Sequence, residues 1–456
     1  MKNGLSSNMA DLNKLLRELD SFEIKEFRKN PEIPEGMTFS STGGSESMAL
    51  TLGDTQKGTA KSLPSRGINI QSAGDIDYPE PGCEVADTIE QMLKLTGQYE
   101  NPEVQSIKRV KDSRIPRWEV VFTYNGFNFS TLYIKDFNGN DHLRQKAAAL
   151  PSFLADLGIP TAVPVGYAAG DGFDRRYALL QPVMRTGVAL DSRGVSDLSD
   201  IWERLRFDTL CTGAEKVIGV LANMQTSATH HIDDLESKHH FILEAIDRPQ
   251  MLWTRFLQYL GLNEEHKNIE EFMQAAQQLS GLIEPQMVFS HGDFRPKNLR
   301  VGDSLDCLFV LDWEMSHIGY RMEDLAMLYL TSARDCQSVA NREDELFEHF
   351  VATKHQKLLE AYDKEGLAIN FNPTTIRNEG IIEVMYGHLY KLGDQVWCAE
   401  EFGDIEARRE KAQKHYAGFL EFADKAYDAG FLEVLPLKKS VETLISQSQN
   451  LGVLIN

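Results

Sequence analysis

Val288-Phe289-Ser290-His291-Gly292-Asp293-Phe294-Arg295-Pro296-Lys297-Asn298-Leu299, followed by Leu308-Phe309-Val310-Leu311-Asp312-Trp313-Glu314, limits the fold more than any other stretch of the chain. Each apolar run is too short for a helix and is bounded by Gly, Asn or Asp, so Met287 to Ser290 and Leu308 to Leu311 read as short buried strands. Two such strands present an Asp, an Asn and a second Asp at their ends. Long runs on either side have apolar residues three and four apart, so this is a small pocket of strand character inside a mainly helical region.

That residue set suits phosphoryl transfer, whose transition state needs positioning and charge neutralisation more than covalent help. Asp293 is the candidate to orient an acceptor hydroxyl and take its proton, with His291 and Arg295 beside it in the catalytic set. Asn298 and Asp312 offer hard oxygen donors of the kind Mg²⁺ takes. The H-x-D-x-x-x-x-N spacing lets one loop supply both base and metal ligand.

H-G-D-x-x-x-x-N, L-D-W-E and, after them, Gly319-Tyr320-Arg321-Met322-Glu323-Asp324-Leu325-Ala326 resemble the motifs of the aminoglycoside phosphotransferase and choline kinase superfamily. The resemblance implies an α+β, protein-kinase-like bilobal fold, with a small antiparallel-sheet N-lobe and a large, mainly helical C-lobe. It implies ATP and Mg²⁺ as cofactors, a hydroxyl of an aminoglycoside-, amino-alcohol- or sugar-like small molecule as acceptor, and Asp324 as the brace of the catalytic loop. Upstream, Lys135 at the end of Ser130-Thr131-Leu132-Tyr133-Ile134-Lys135 would contact the α- and β-phosphates. Gln181, Val183 and Met184 would form the adenine hinge, and Ser113 would sit in a phosphate-covering loop that holds no glycine. On the helix where the superfamily offers a Glu to pair with the lysine, this chain has Gln145 or Lys146. A nucleotide-binding pseudokinase with a partner-binding N-terminal extension is therefore the alternative expectation.

The order of elements fits two lobes and an extension. Strands at Trp118 to Tyr124, Phe127 to Asp136 and Tyr177 to Met184 surround a helix at Leu143 to Leu157 and a strand-like turn at Ala162 to Tyr167. After Gly187, helices are expected at Glu215 to Met224, Phe241 to Leu260, Ile269 to Leu279, Glu343 to Tyr362, Glu379 to Glu401 and Ala407 to Ala426. Met9 to Lys29 reads as an amphipathic helix, and Pro34 to Pro81 as a Ser- and Gly-rich linker. The expected boundaries are an extension at 1–82, a nucleotide-binding lobe at 83–183 and a helical lobe at 184–456. On the acceptor side, Glu383, Tyr386 and Trp397 on one late helix, with Glu314, form a candidate wall for an ammonium group; the same stripe also suits a helix core.

Composition narrows the partners. A net charge of -21, from 47 basic and 68 acidic residues, argues against nucleic acid held by the overall field. The five cysteines are scattered and form no C-x-x-C, and the His230-His231 and His239-His240 pairs match no zinc spacing. No apolar stretch is long enough for a membrane helix, so a cytoplasmic protein without a membrane partner is expected. The sequence is silent on oligomeric state.

Overall fold

Two strands rich in β-branched and aromatic residues pair as an antiparallel hairpin, with Trp118 in register with Ile134 and Phe122 with Ser130, and Phe122 is fully buried. The computed structural model describes residues 49–51, 90, 100–109, 117–124, 128–136, 141–161, 166–169, 178–182, 196–262, 267–282, 286–301, 308–402, 405–448 and 455. The expected helix at Met9 to Lys29, Ser113, Val183 and Met184 lie outside them. Six strands, β1 (Ala49–Thr51), β2 (Glu103–Arg109), β3 (Arg117–Tyr124), β4 (Asn128–Asp136), β5 (Gly166–Ala169) and β6 (Ala178–Pro182), form one sheet in the order β1-β5-β6-β4-β3-β2. Only β1 runs parallel to its neighbour.

Two of these strands were not expected. β1 comes from the stretch read as a linker, and three residues are too few to show a period. β2 contains a register shift between Val104 and Ser106, which breaks the alternation by which a strand is recognised. Helix α1 (Asp141–Asp156) follows β4 and buries Ala147, Leu150, Phe153 and Leu154, three and four residues apart.

The described residues form two compact units. One takes in those up to Leu198, with His231–Ile242 and Asn298–Glu314; the other takes in Ser199–His230, Leu243–Lys297 and Met315 onwards. In the first, helix α2 (Leu198–Trp202) begins after β7 (Ser196–Asp197), and α4 (Ile232–His239) lies against α1, with His239 3.4 Å from Asp156. β7 also joins β9 (Leu299–Val301) and β10 (Leu308–Val310) in a three-stranded sheet of order β10-β9-β7.

The second unit is built from α3 (Phe207–His230), α5 (Arg248–Arg255), α6 (Lys267–Gly281), α7 (Glu323–Asp335), α8 (Glu343–Lys364), α9 (Pro373–Phe402), α10 (Ile405–Asp428) and α11 (Val434–Gln447). Its only described sheet is the pair β8 (Met287–Ser290) and β11 (His317–Tyr320). Tyr329, Phe347 and Phe422 meet edge to face at the junction of α7, α8 and α10.

The helix expected over Phe241 to Leu260 is a correction. Ala245 instead bridges to Ile318, and α5 starts only at Arg248, because the Asp247 carboxylate caps Gln250 N–H at 2.9 Å and Pro249 follows in the first turn. Phe256 leaves the helical conformation and α5 ends there. No helix among the described residues is long and apolar enough to cross a membrane, and Cys211, Cys336 and Cys398 are free thiols.

Candidate active site

The strand end at Ser290 leads into His291-Gly292-Asp293, and this turn is fastened from below. Asp324, fully buried in the first turn of α7, accepts His291 N–H at 2.8 Å through one oxygen and Gly292 N–H at 2.9 Å through the other. Gly292 has φ +76°, and a Cβ there would run into the Met315 carbonyl oxygen. Glycine is thus required both by backbone conformation and by space. Asp293 N–H in turn donates to His291 Nδ1 at 3.2 Å, and the His291 ring sits edge-on to buried Phe294.

A second group of charges holds the same turn. Arg255, near the end of α5, donates to the Gly292 carbonyl at 3.0 Å and lies 3.6 Å from Glu323. Glu323 meets His317 Nε2 at 3.0 Å, and His317 Nδ1 meets the Met315 carbonyl. Burial alone would raise the Glu323 carboxyl, but His317 and Arg255 pull it down to about 2. Burial and the adjacent Glu323 raise Asp324 instead, against the pull of His291 and the two backbone N–H groups.

Asp293 is half-buried and pairs with Arg295 at 2.9 Å. Lys391 of α9, also buried, lies close enough for the Asp293 charge to act on it and pairs with Asp394 at 3.3 Å; burial lowers its ammonium. Arg255, Glu323, His317 and Lys391 were not singled out in the sequence. An available signal was the i,i+3 pair Lys391 and Asp394 inside an otherwise buried helix.

In the first unit, Asn298 and Asp312 flank one hairpin. Leu299 pairs with Val310, and one step further Leu311 N–H donates to the Asn298 carbonyl at 2.9 Å, so the two candidate metal ligands stand at the same hairpin end. Asn298 is buried, and Asp312 is half-buried with φ +72°, a left-handed backbone uncommon outside glycine and concentrated at functional sites. Thr161 fastens this end by donating to the Val310 carbonyl and accepting Trp313 Nε1–H. The two short strands expected at Met287 to Ser290 and Leu308 to Leu311 both form, as β8 and β10. β8 joins β11 and β10 joins β9, in separate sheets. A carboxylate and an amide oxygen are hard donors, and as a donor set they fit Mg²⁺.

The remaining predicted residues fall as follows. Lys135 is near the end of β4, opposite Leu179 of β6, and Gln181 of β6 stands opposite Tyr133. On α1, Lys146 is buried. Glu314 is buried two residues after Asp312, and Trp397 is half-buried. Glu383 and Tyr386 surround a guanidinium of the chain itself: Arg248 is ion-paired with Glu383, donates to Tyr390 at 2.7 Å and lies over the rings of Tyr320 and Tyr386. Of the two uses weighed for this stripe, an ammonium wall or helix core, Glu383 and Tyr386 serve the second, around Arg248.

A buried carboxylate braces the H-G-D turn in an α+β protein of helices and small sheets, and that turn carries the sequence pattern of a phosphotransferase loop. The model of the phosphotransferase enzyme family matches residues 131–356, from β4 into α8, just under half of the chain. No curated protein sequence matches it. Among solved structures it is similar to a choline/ethanolamine kinase family protein from Mesorhizobium loti, at 13% identity and TM-score 0.45, covering 78% of this chain and 98% of that one. It is similar to an amicoumacin kinase in complex with AMP-PNP, Ca²⁺ and its ligand, at 12% identity and TM-score 0.48, over 75% and 94% of the two chains. A Plasmodium vivax ethanolamine kinase matches at 12% identity and TM-score 0.41, over 74% and 84%. These likenesses are remote, and it is the match over 131–356 that relates this chain to phosphotransferases.

Proposed function

We propose that the protein is an ATP- and Mg²⁺-dependent kinase of small molecules, moving the γ-phosphoryl group to a hydroxyl of an aminoglycoside-, amino-alcohol- or sugar-like acceptor. The observation that carries this is the pair of hydrogen bonds that His291 N–H and Gly292 N–H donate to the Asp324 carboxylate, which fixes the turn presenting Asp293.

In this reading Asp293 orients the acceptor hydroxyl and takes its proton as the new O–P bond forms and the bond from the γ-phosphorus to the β,γ-bridging oxygen breaks. Arg295, against Asp293, adds positive charge where the phosphoryl group passes. Asn298 and Asp312 hold the metal, which when bound neutralises charge on the phosphate oxygens. Lys135, Ser113, Gln181, Val183 and Met184 serve the nucleotide. Glu314 and Trp397 remain on the acceptor side, whereas Glu383 and Tyr386 are committed to Arg248. The lobes in this reading are 83–183 and 184–456, with 1–82 as an extension that adds β1 to the sheet, in a cytoplasmic protein.

One observation favours a second reading. Buried Lys146 stands on the helix expected to supply a glutamate for Lys135. Without such a partner the lysine is held less firmly, as in a nucleotide-binding pseudokinase whose extension recruits a partner. Asp293→Asn is expected to cut phosphoryl transfer about 10²- to 10⁴-fold while MgATP binding persists, measured as ATP consumption across a panel of hydroxylated metabolites. Wild-type protein that binds MgATP and phosphorylates no member of the panel would establish the second reading.

A further inference from the structure

Behind the catalytic turn runs a chain of buried polar groups that the transfer chemistry does not itself call for. Amphipathic α8 turns Phe347, Phe350, Val351, Leu358 and Ala361 inward, and Lys354 stands in that same row with no exposure. On α3, Gln225 is 1% exposed among Leu221, Ala222 and Ala228. Lys354 Nζ donates to Gln225 Oε1 at 2.5 Å, and Gln225 Nε2 donates to Asp324 Oδ2 at 3.5 Å. Asp324 is the carboxylate that grips His291 and Gly292.

A carboxamide has one accepting end and one donating end. Here the ammonium takes the first and the carboxylate the second, so charges on both sides set how the amide is turned. A buried ammonium is costly in an apolar row, and an apolar side chain of similar volume would serve packing better.

We propose that Lys354 and Gln225 are positioning residues of the catalytic loop: the buried ammonium orients the Gln225 amide and supplies the counter-charge that keeps Asp324 ionised and holding the His291 and Gly292 N–H groups. Only the kinetic consequence of this proposal rests on the phosphotransferase reading. Among the described residues, the charged groups facing Lys354 are Asp324 on α7 and Arg321 ahead of it; Arg321 is taken up by Glu379 of α9, and α3 contributes the neutral Gln225. Burial lowers the Lys354 ammonium to about 7, with Asp324 pulling the other way and Arg321 adding to the lowering.

The pH dependence separates positioning from packing. As pH rises through neutrality the Lys354 charge is lost and the hold on Asp324 weakens. Global stability moves in the opposite sense: in the unfolded chain this lysine keeps its proton to about 10.5, so between about 7 and 10.5 the unfolded state binds more protons and the contribution of this group to stability rises. A lysine that served packing alone would change only the second quantity.

The test is amide hydrogen exchange on the full-length protein without nucleotide, over a pH series corrected for intrinsic exchange, alongside urea unfolding. Wild-type protection at His291 and Gly292 should fall as pH rises through neutrality. Lys354→Met and Gln225→Leu should each speed exchange at those two amides about tenfold and flatten that pH dependence, with β8 and β11 amides at wild-type protection. Wild-type loop exchange in both variants, or acceleration shared equally by β8 and β11, would overturn the proposal. Should Lys354→Met fail to fold, Gln225→Leu and the wild-type series decide, and flat wild-type loop protection counts against the proposal. If the exchange pattern holds while no acceptor is phosphorylated, the catalytic reading fails and the positioning role stands.

Discussion

Gly292 shows how much one position can hold. Its left-handed backbone and the Met315 carbonyl leave no room for a side chain, so Gly292→Ala should cost roughly 2 kcal/mol or more and displace Asp293. Urea unfolding checks the stability, and turnover measured beside it checks the displacement. Glu323 makes a pH prediction whose sign follows from its lowered carboxyl. Its folded value of about 2 lies below the ordinary 4.5, so the stability it contributes is complete above about 4.5 and is lost as pH falls towards 2. Glu323→Gln should therefore be less stable than wild type by roughly 3 kcal/mol at neutral pH, with the gap closing over that acid window in thermal melts. His291, Asp293, Asn298, Asp312 and Asp324 were all legible as a spaced motif. Arg255 was not, because its partner is a backbone carbonyl, and a carbonyl has no signature in the sequence.

At the scale of elements, periodicity located α3, α6, α8, α9 and α10 and misjudged α5. Phe241 to Leu260 has helical spacing throughout, yet Ala245 pairs with Ile318 and the Asp247 cap starts the helix late. The Asp-Arg-Pro sequence signalled that start; the strand-like pairing before it depended on β11. α11 was overlooked although Leu437, Val441 and Leu444 repeat at helical spacing. α5 also carries Arg248, which ties the helix to α9 through Glu383 and Tyr390. Arg248→Met should destabilise the protein by about 3–5 kcal/mol, since it leaves a buried carboxylate without its cation. Burial pushes the Glu383 carboxyl up to about 7 even beside Arg248, so the variant can relieve the loss by taking up a proton. Urea melts should show a larger deficit above neutrality than near pH 5.

For the molecule as a whole, the reading predicts a ligand effect on stability. MgATP at a hundredfold over its Kd should stabilise the folded chain by about 2.7 kcal/mol, and Asp312→Asn should lose most of the part that depends on Mg²⁺. Thermal melts with ATP alone and with MgATP separate the two, and equal shifts in the variant and wild type would remove Asp312 from the metal site. The sequence by itself pointed to the class of protein, because the candidate base, metal ligands and brace recur at spacings that two loops and one helix start impose. It also marked most amphipathic faces, since apolar period is written directly in the order of residues. Only the tertiary structure decided which strands pair, that Arg248 fills the aromatic and carboxylate wall, and that Lys354 stands behind Asp324 through Gln225. Those contacts join residues far apart in the chain, and their selectivity comes from burial and charge in three dimensions, which no local spacing records.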